Sequence, residues 1–212
     1  EITIPLDPTQ TPGENAQRYF AKYNKQKRTF EALTELIQET ADDIQYLESI
    51  SNALDIALNE ADLAQIKEEL MQSGYIRRKH TKKKVKLTSK PMHYISSDGY
   101  DMYVGKNNLQ NEELTFSFAN GNDWWFHAKG APGSHVIVKS GGDELPDRTF
   151  EEAGRLAAYY SKNRGADKVE IDYIQKKHVK KPNGAKPGFV VYYTNYSLVI
   201  DSDISNIKNV QD

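Results

Sequence analysis

One stretch of the chain, from Glu14 to Leu58, contains neither proline nor glycine and repeats apolar residues in steps of mostly three and four. This spacing predicts a single amphipathic helix, about 60 Å or more in length because each helical residue adds about 1.5 Å. The residues of its apolar stripe are Ala16, Phe20, Tyr23, Phe30, Leu33, Ile37, Ala41, Ile44 and Leu47.

A helix of this length extends beyond a compact domain and needs a partner along its apolar stripe. A second helix is predicted after it, capped by Asp62 and ended by Gly74. The residues on its apolar face are Leu63, Ile66 and Leu70. It is too short to cover the first helix, so we expect residues 1–76 to form a coiled-coil arm whose partner helix comes from a missing part of the chain or from a second copy. The arm either contacts a large assembly or serves as a spacer.

The start of the chain carries two further signals. Ile2 and Ile4 alternate before a run that contains three prolines, which predicts a short edge strand and then an extended lead-in. The first residue is Glu1 rather than methionine. We therefore expect the sequence to be a piece of a longer protein, and the lack of a signal peptide is uninformative.

Aromatic residues are concentrated in residues 123–139, which read DWWFHAKGAPGSHVIVK. The Gly-Ala-Pro-Gly turn between two strand-like runs predicts a hairpin. Because successive strand residues face opposite sides of a sheet, Trp124 and Phe126 should face one side and Trp125 and His127 the other. These aromatic residues are either sheet core beneath a helix or a stacking surface for bases.

Short strands and turns are predicted around this hairpin. The Asp-Gly pair at residues 98–99 predicts a turn between strands at 93–95 and 100–105. Residues 106–114 are polar and indicate a loop or the start of a short helix. Residues 114–118 fit either a strand or a helical turn.

A helix and further strands follow. Thr149, with Glu152 three residues later, predicts a capping box for a helix that ends by Gly165. The residues of its buried stripe are Ala153, Leu156, Ala157 and Tyr160. Alternation predicts a strand at 168–175 and one or two strands within 189–200. The fold class is α+β: a long helical coiled-coil arm followed by a small α/β domain with a mostly antiparallel sheet and one main packed helix.

Positive charge is gathered in two places although the formal net charge is only −2. Residues 77–89 carry 7 Lys and Arg and no acidic residue, so we predict a basic linker between the arm and a domain at residues 90–212. This linker is either simply solvated or a salt-sensitive contact for phosphates. A second basic segment, residues 176–188, lies between two strands and is stiffened by turns. Its lysines are therefore partly positioned for a phosphate backbone, unless the segment is only a polar hairpin tip.

Several kinds of chemistry find no support in the sequence. The chain has no cysteine, which excludes disulfides and cysteine-ligated zinc, and it has no run of about 18 apolar residues to span a membrane. His127 and His135 lack a third metal ligand. Ser134 and His135 are adjacent and would point to opposite faces of a strand. We expect no metal, no cofactor and no enzymatic activity.

Six strings of the sequence resemble the NFACT family. The strings SSDGYDMYVGKNN, DWWFHAKGAPGSHVIV, EEAGRLAAYYSKNRG and VKKPNGAKPGFV resemble its RNA-binding module, NFACT-R. The strings PLDPTQTPGENAQRYFAKYNK and IKEELMQSGYI are similar to the coiled-coil middle region of its bacterial members, long labelled fibronectin-binding protein A-like. The resemblance covers nearly the whole chain, but the family's N-terminal domains, with a motif tied to tRNA recognition, have no counterpart in it.

This resemblance implies a cytoplasmic ribosome quality control factor. Family members bind the large ribosomal subunit with its stalled peptidyl-tRNA and recruit tRNA, so that in bacteria alanine is added to the C-terminus of the stalled chain. The implied partners are the large ribosomal subunit and tRNA, with self-association through the coiled-coil arm left open. The alternatives are a surface fibronectin-binding adhesin, as the older label indicates, and a nucleic-acid hydrolase, for which the sequence offers no set of catalytic residues.

We predict RNA contacts in three groups of residues. The group in the basic linker is Arg77, Arg78, Lys79, Lys82, Lys83 and Lys84. The group in the second basic segment is Lys176, Lys177, Lys180, Lys181 and Lys186. The group around the aromatic turn is Trp125, His127, Lys129, Ser134 and His135, any of which is alternatively part of the core.

Overall fold

The computed structural model describes residues 2–77 and 88–210. The chain divides into two compact units, Glu1–Gln45 and Tyr46–Asp212, and the division falls inside the first helix. The helices are α1 Pro12–Ile56, α2 Glu60–Gln72, α3 Asn108–Glu113 and α4 Asp147–Tyr159. The strands are β1 Met92–Ile95, β2 Asp101–Val104, β3 Trp124–Ala128, β4 Val136–Val138, β5 Val169–Gln175, β6 Tyr196–Ile200 and β7 Lys208–Asn209. The predicted α+β class, with a long N-terminal helix and an antiparallel sheet, is confirmed.

The first unit contains the lead-in segment and most of α1. A capping box starts the helix, since the Thr11 amide donates to Glu14 Oε2 at 2.8 Å and the Glu14 amide donates to Thr11 Oγ1 at 3.3 Å. The predicted edge strand at Ile2 and Ile4 is wrong: the segment forms no strand, and the Tyr19 hydroxyl instead donates to the Pro5 carbonyl oxygen. The nearby prolines lack the amide protons that a strand ladder uses.

The apolar stripe of α1 is exposed in this first unit. Phe20, Phe30 and Ile37 keep 68%, 71% and 68% of their surface accessible. No partner helix covers these side chains among the residues that the structure describes, so the coiled-coil arm remains a prediction. No helix in residues 2–77 or 88–210 combines the length and the apolarity needed to cross a membrane.

The second unit is built on a seven-stranded sheet in the order β6-β5-β3-β4-β2-β1-β7, with every neighbouring pair antiparallel. Both predicted hairpins are confirmed. Gly99, at φ 88°, turns β1 into β2, and β3 pairs with β4 through Trp125 opposite Ile137. The two-residue strand β7, at the edge of the sheet beside β1, was not predicted.

The two faces of the sheet carry separate cores, as the alternation in β3 predicts. Trp124 and Phe126 lie on the face covered by α4, where Gly154 allows close packing because a Cβ there would lie 2.9 Å from Leu198. Trp125 lies on the other face with Ile137. A π-helical turn, Leu114–Phe118, resolves the alternative left open for those residues and contributes to this second core.

The predicted capping box of α4 is wrong. The helix begins at Asp147, two residues earlier than Thr149, with Pro146 as its N-cap. The Thr149 hydroxyl donates to Asp98 Oδ2 at 2.8 Å, and the Glu152 carboxylate accepts the amide of Ser97 at 2.7 Å. These two side chains therefore hold the β1–β2 turn against the helix instead of closing the helix start.

Helix α2 agrees with its prediction in part: Ile66 and Leu70 pack in a hydrophobic cluster with α1, but the cap differs and much of the buried face is polar. Its N-cap is Asn59 and not Asp62, and Leu63 is 48% exposed. The buried residues of the helix are Asp62, Gln65, Ile66 and Glu69. The polar ones pack on the loop and helix that follow β2, where Lys106 Nζ donates to Asp62 Oδ1 at 2.5 Å and the Gln110 side-chain amide donates to Gln65 Oε1 at 2.7 Å. Hydrogen bonds thus connect α2 to the sheet domain at this polar contact.

Candidate nucleic-acid interface

The second basic segment, residues 176–188, is hereafter the lysine loop. It leaves β5 through a 3-10 turn, Lys176–His178, and is closed by a bridge in which the Lys180 amide donates to the Val191 carbonyl at 2.9 Å. No Asp or Glu occurs between residues 173 and 200. The loop therefore carries its five lysines on a backbone that the sheet holds in place.

The lysines of this loop have different surroundings. Lys177, Lys180 and Lys181 are exposed, whereas Lys176 is half-buried with its Nζ 6.0 Å from the centre of the Phe116 ring. Lys181 Nζ donates to Glu112 Oε2 at 2.6 Å, which offsets part of its charge. Lys177 and Lys180 are thus best placed to meet the phosphates of a polyanion.

Lys186 faces the helices rather than solvent. Its Nζ lies 4.6 Å from the centre of the Tyr46 ring and 5.1 Å from that of Tyr75, and it donates to the Tyr75 hydroxyl at 2.8 Å. Tyr46 is buried, and burial raises the pKa of its hydroxyl, which donates to Glu69 Oε1 at 2.9 Å. Lys186 therefore fixes the lysine loop to the end of α1 and to the segment after α2 by cation–π contacts.

Gly188 fixes the other end of the loop. Its φ is +78°, and a Cβ at this position would lie 2.8 Å from Asn108 Oδ1. Its amide donates to Glu112 Oε2 at 3.3 Å, the same oxygen that accepts from Lys181. The loop is consequently held by α3 as well as by the end of α1 and the segment after α2.

Three residues predicted around the aromatic turn are interior. Trp125 is fully buried, and Ser134 and His135 are each 2% exposed. The Trp125 ring centre lies 5.1 Å from that of His135 and 5.0 Å from that of Tyr192. In this conformation they present almost no surface to a base, and they belong to the core of the domain, the alternative stated for this group.

His127 and Lys129 are accessible to solvent but carry little unpaired positive charge. His127 is half-buried with its ring centre 5.4 Å from that of His135, and burial lowers its pKa to about 4. Burial, together with the neighbouring His127, holds the pKa of His135 well below its ordinary range. Lys129 Nζ pairs with Glu170 Oε1 at 2.5 Å. At neutral pH this part of the domain therefore presents much less positive charge to a phosphate than the lysine loop does.

The predicted contacts of the basic linker fall mostly outside the described residues. Arg77 is exposed at the end of the described segment 2–77. The others, Arg78, Lys79, Lys82, Lys83 and Lys84, lie outside the residues that the structure describes. The linker therefore remains a prediction from charge alone.

Sequence reasoning missed Tyr193, which is 74% exposed beside the closing bridge of the lysine loop. The available signal was the alternation around it, since Tyr192 packs inward and Val191 and Tyr193 face outward. Across residues 2–77 and 88–210, no group of three His, Asp or Glu side chains is arranged to hold a metal ion. The arrangement is suited to binding a polyanion by charge and by aromatic contact.

Two family models match the chain in succession. Residues 1–89 match the NFACT N-terminal and middle domains, and residues 90–194 match the NFACT protein RNA binding domain. The second match contains the lysine loop and Tyr193. It ends before β6, so β6 and β7 complete the sheet outside the matched region.

Known relatives agree with these matches. The Rqc2 homolog RqcH of Streptococcus pneumoniae is 45% identical over 211 residues, covering 99% of this chain and 38% of that protein. The ribosome quality control complex subunit NEMF homolog of Drosophila melanogaster is 35% identical over 69 residues, covering 32% of this chain and 7% of that protein. The chain thus spans well under half the length of these relatives.

A solved structure is similar over most of the fold. It is the C-terminal part of the fibronectin/fibrinogen-binding protein from Streptococcus suis, with 43% sequence identity and a TM-score of 0.83. The similarity covers 93% of this chain and 79% of that chain. The two chains are therefore similar in both sequence and fold.

Proposed function

The chain belongs to the NFACT family, and from this membership we propose that it is the RNA-contacting part of a ribosome quality control factor. The observation that carries the proposal is the lysine loop, which holds exposed Lys177 and Lys180 in a stretch without acidic residues. The name of the Drosophila relative, a ribosome quality control complex subunit, supports a role in ribosome quality control.

The lysine loop is suited to this role because its shape is already fixed. Lys186 and Gly188 attach it to two parts of the domain, so little conformational entropy is lost when the exposed lysines meet phosphates. Lysines recognise phosphate as point charges and do not read base sequence. Binding through this loop is therefore expected to be salt-sensitive and tolerant of RNA sequence.

In full, the proposal places the chain on the large ribosomal subunit and on tRNA in the cytoplasm. Residues 77–84 add a second basic contact, and the exposed stripe of α1 pairs with a further helix, from the rest of the protein or from a second copy. The chain carries out no chemistry itself. It supports the alanine tailing of stalled nascent chains by holding RNA in place.

Binding of this 212-residue chain to purified large ribosomal subunits and to free tRNA, each at low and high salt, tests the proposal. We expect binding to large subunits that weakens steeply as salt rises, because counterions released from phosphates drive it. A folded chain that binds neither partner at low salt would overturn the proposal.

A second candidate function is binding to fibronectin at the cell surface. It is favoured by the name of the similar Streptococcus suis protein, a fibronectin/fibrinogen-binding protein. Exposure on intact cells together with fibronectin binding that survives high salt would support it. Charge reversal in the lysine loop separates the candidates, since only the RNA proposal requires those lysines.

A further inference from the structure

Tyr193 is the most exposed aromatic side chain among the described residues, with 74% of its surface accessible. An isolated exposed aromatic residue is common and needs no explanation by itself. Tyr193 differs because it lies two residues beyond the bridge that closes the lysine loop and directly before Thr194, whose φ is positive.

The bridge between Lys180 and Val191 brings the segment that carries Tyr193 to the lysine loop. Lys180 and Val191 are opposite each other in an antiparallel bridge and therefore share a face, and Tyr193 follows Val191 by two residues. Lys180, Val191 and Tyr193 are all exposed, whereas Val179 and Tyr192 pack inward with the Trp125 core. The outward face of this ribbon therefore combines an ammonium group and an aromatic ring.

The inward neighbour of Tyr193 makes the ribbon rigid. The Tyr192 hydroxyl donates to Asp172 Oδ2 at 2.9 Å, and Asp172 is buried. Burial raises the pKa of Tyr192, so the phenol keeps its proton and remains the donor. Tyr193 therefore directly follows a residue that is anchored in the core.

The backbone after Tyr193 is unusual. Thr194 is the one non-glycine residue with positive φ, at 60°, among residues 2–77 and 88–210. A β-branched residue rarely adopts this conformation, and such outliers concentrate at functional positions. The Thr194 hydroxyl donates to the Tyr193 carbonyl at 2.5 Å. This turn directs the chain into β6 while the Tyr193 ring stays in solvent.

We propose that Tyr193 is a stacking platform for an unpaired base of RNA, with Lys177 and Lys180 meeting the adjacent phosphates. The inference rests on the proposed RNA binding and narrows its ligand to single-stranded or looped-out nucleotides, because the bases of a duplex already stack on each other. Stacking on an aromatic ring tolerates any base, so the site is expected to bind unpaired nucleotides with little preference for sequence.

The test compares a short single-stranded oligouridylate with a blunt RNA duplex of equal length as probes for the full chain. Tyr193→Ala should weaken oligouridylate binding about tenfold, and Tyr193→Leu should weaken it similarly, whereas Tyr193→Phe should restore it because the ring face is kept. Duplex binding should be unchanged in all three. Tyr196→Ala is the matched control, since Tyr196 is 60% exposed but stacks on Tyr173, on the α4 side of the sheet.

The outcomes separate the stacking site from RNA binding as such. If Lys177→Glu with Lys180→Glu abolishes oligouridylate binding but Tyr193→Ala does not change it, the stacking site is refuted and the proposed function stands. Equal binding by the Leu and Phe variants would likewise refute stacking. If the wild-type chain binds neither probe, the proposed function itself fails, and the stacking site with it.

Discussion

The ammonium nitrogen of Lys186 lies 4.6 Å from the centre of the Tyr46 ring, which joins the lysine loop to the last turns of α1. Tyr75, from the segment after α2, stacks on Tyr46 at 5.7 Å between ring centres and accepts a hydrogen bond from the same lysine. Lys186 was predicted to contact RNA, yet its position is that of an anchor. The position of the loop therefore depends on the packing of the helix pair.

This anchoring role predicts two different effects for two lysines of the same loop. Lys186→Met should lower RNA affinity through a loosened loop and leave the slope of log affinity against log salt unchanged, and Lys186→Arg should restore affinity through its own cation–π contact. Lys177→Met should reduce the slope by about 0.7 to 0.9, the loss of one phosphate contact. RNA titrations at several salt concentrations distinguish them, and equal slope changes in the two Met variants would contradict the anchor.

A pair of glycines in the loop offers a matched test of its attachment to α3. Gly184, at φ +73°, has no atom within 4 Å of the position that a Cβ would occupy, whereas a Cβ on Gly188, at φ +78°, would lie 2.8 Å from Asn108 Oδ1. Gly184→Ala should cost about 1 kcal/mol of stability, the cost of a left-handed alanine. Gly188→Ala should cost at least about 2 kcal/mol and also weaken RNA binding. Urea denaturation and RNA titration of both variants check this, and equal effects would argue against a specific contact with Asn108.

The buried ion pair of Asp62 and Lys106 predicts a strong asymmetry between single and double variants. Their side chains are 1% and 6% exposed with Nζ and Oδ1 2.5 Å apart. Burial alone would raise the pKa of Asp62, but its hydrogen bonds with Lys106, Ser89 and Leu58 outweigh this effect and lower it. Lys106→Met should cost about 3–5 kcal/mol because a buried carboxylate loses its partner.

Adding Asp62→Asn to Lys106→Met should recover much of that loss, since the neutral pair no longer requires charge compensation. Equilibrium urea unfolding measures both variants. A double variant less stable than the single one would show that Asp62 stabilises the junction independently of Lys106.

Stability should fall as pH is lowered from 7 towards 4. Burial lowers the pKa of His127 to about 4 and that of His135 well below its usual range, so within this window the unfolded chain binds protons that the folded chain does not. Glu69 acts in the opposite sense. Burial raises its pKa in the folded chain, so the stability that its protonated form contributes is lost as pH rises through that folded pKa. His127→Gln should make the decline shallower in thermal unfolding at stepped pH. His178→Gln, on the exposed loop, is the control, and an unchanged decline in His127→Gln would contradict the assignment.

Local patterns in the sequence predicted much of the fold. The proline- and glycine-free run predicted α1, and alternation assigned Trp124 and Trp125 to opposite faces of the sheet. The two-residue strand β7 exists because β1 offers it a partner, and its own sequence carries no strand signal. The polar part of the buried face of α2 was missed, since Gln65 and Glu69 accept their hydrogen bonds from Gln110 and Asn108, which are far away in the chain.

The candidate site was predictable as a charge pattern but not as a surface. The absence of acidic residues from residues 173–200 is visible in the sequence, whereas the anchoring of Lys186 by Tyr46 depends on residues far apart in the chain. Trp125 is interior because Val179 and Tyr192 cover it, and the same packing leaves Tyr193 in solvent. Which aromatic residue is available to a ligand is thus decided by tertiary contacts.

Binding of large ribosomal subunits by a charge-reversed lysine loop tests the central claim most directly. Lys177→Glu with Lys180→Glu is compared with Lys168→Glu and Lys208→Glu, which make the same charge change at exposed lysines outside the loop. We predict that the loop variant loses most of its affinity and its salt dependence flattens, while the control variant binds like the wild type. Equal binding by the two variants would contradict the proposed function, because the lysine loop would then not be the RNA contact.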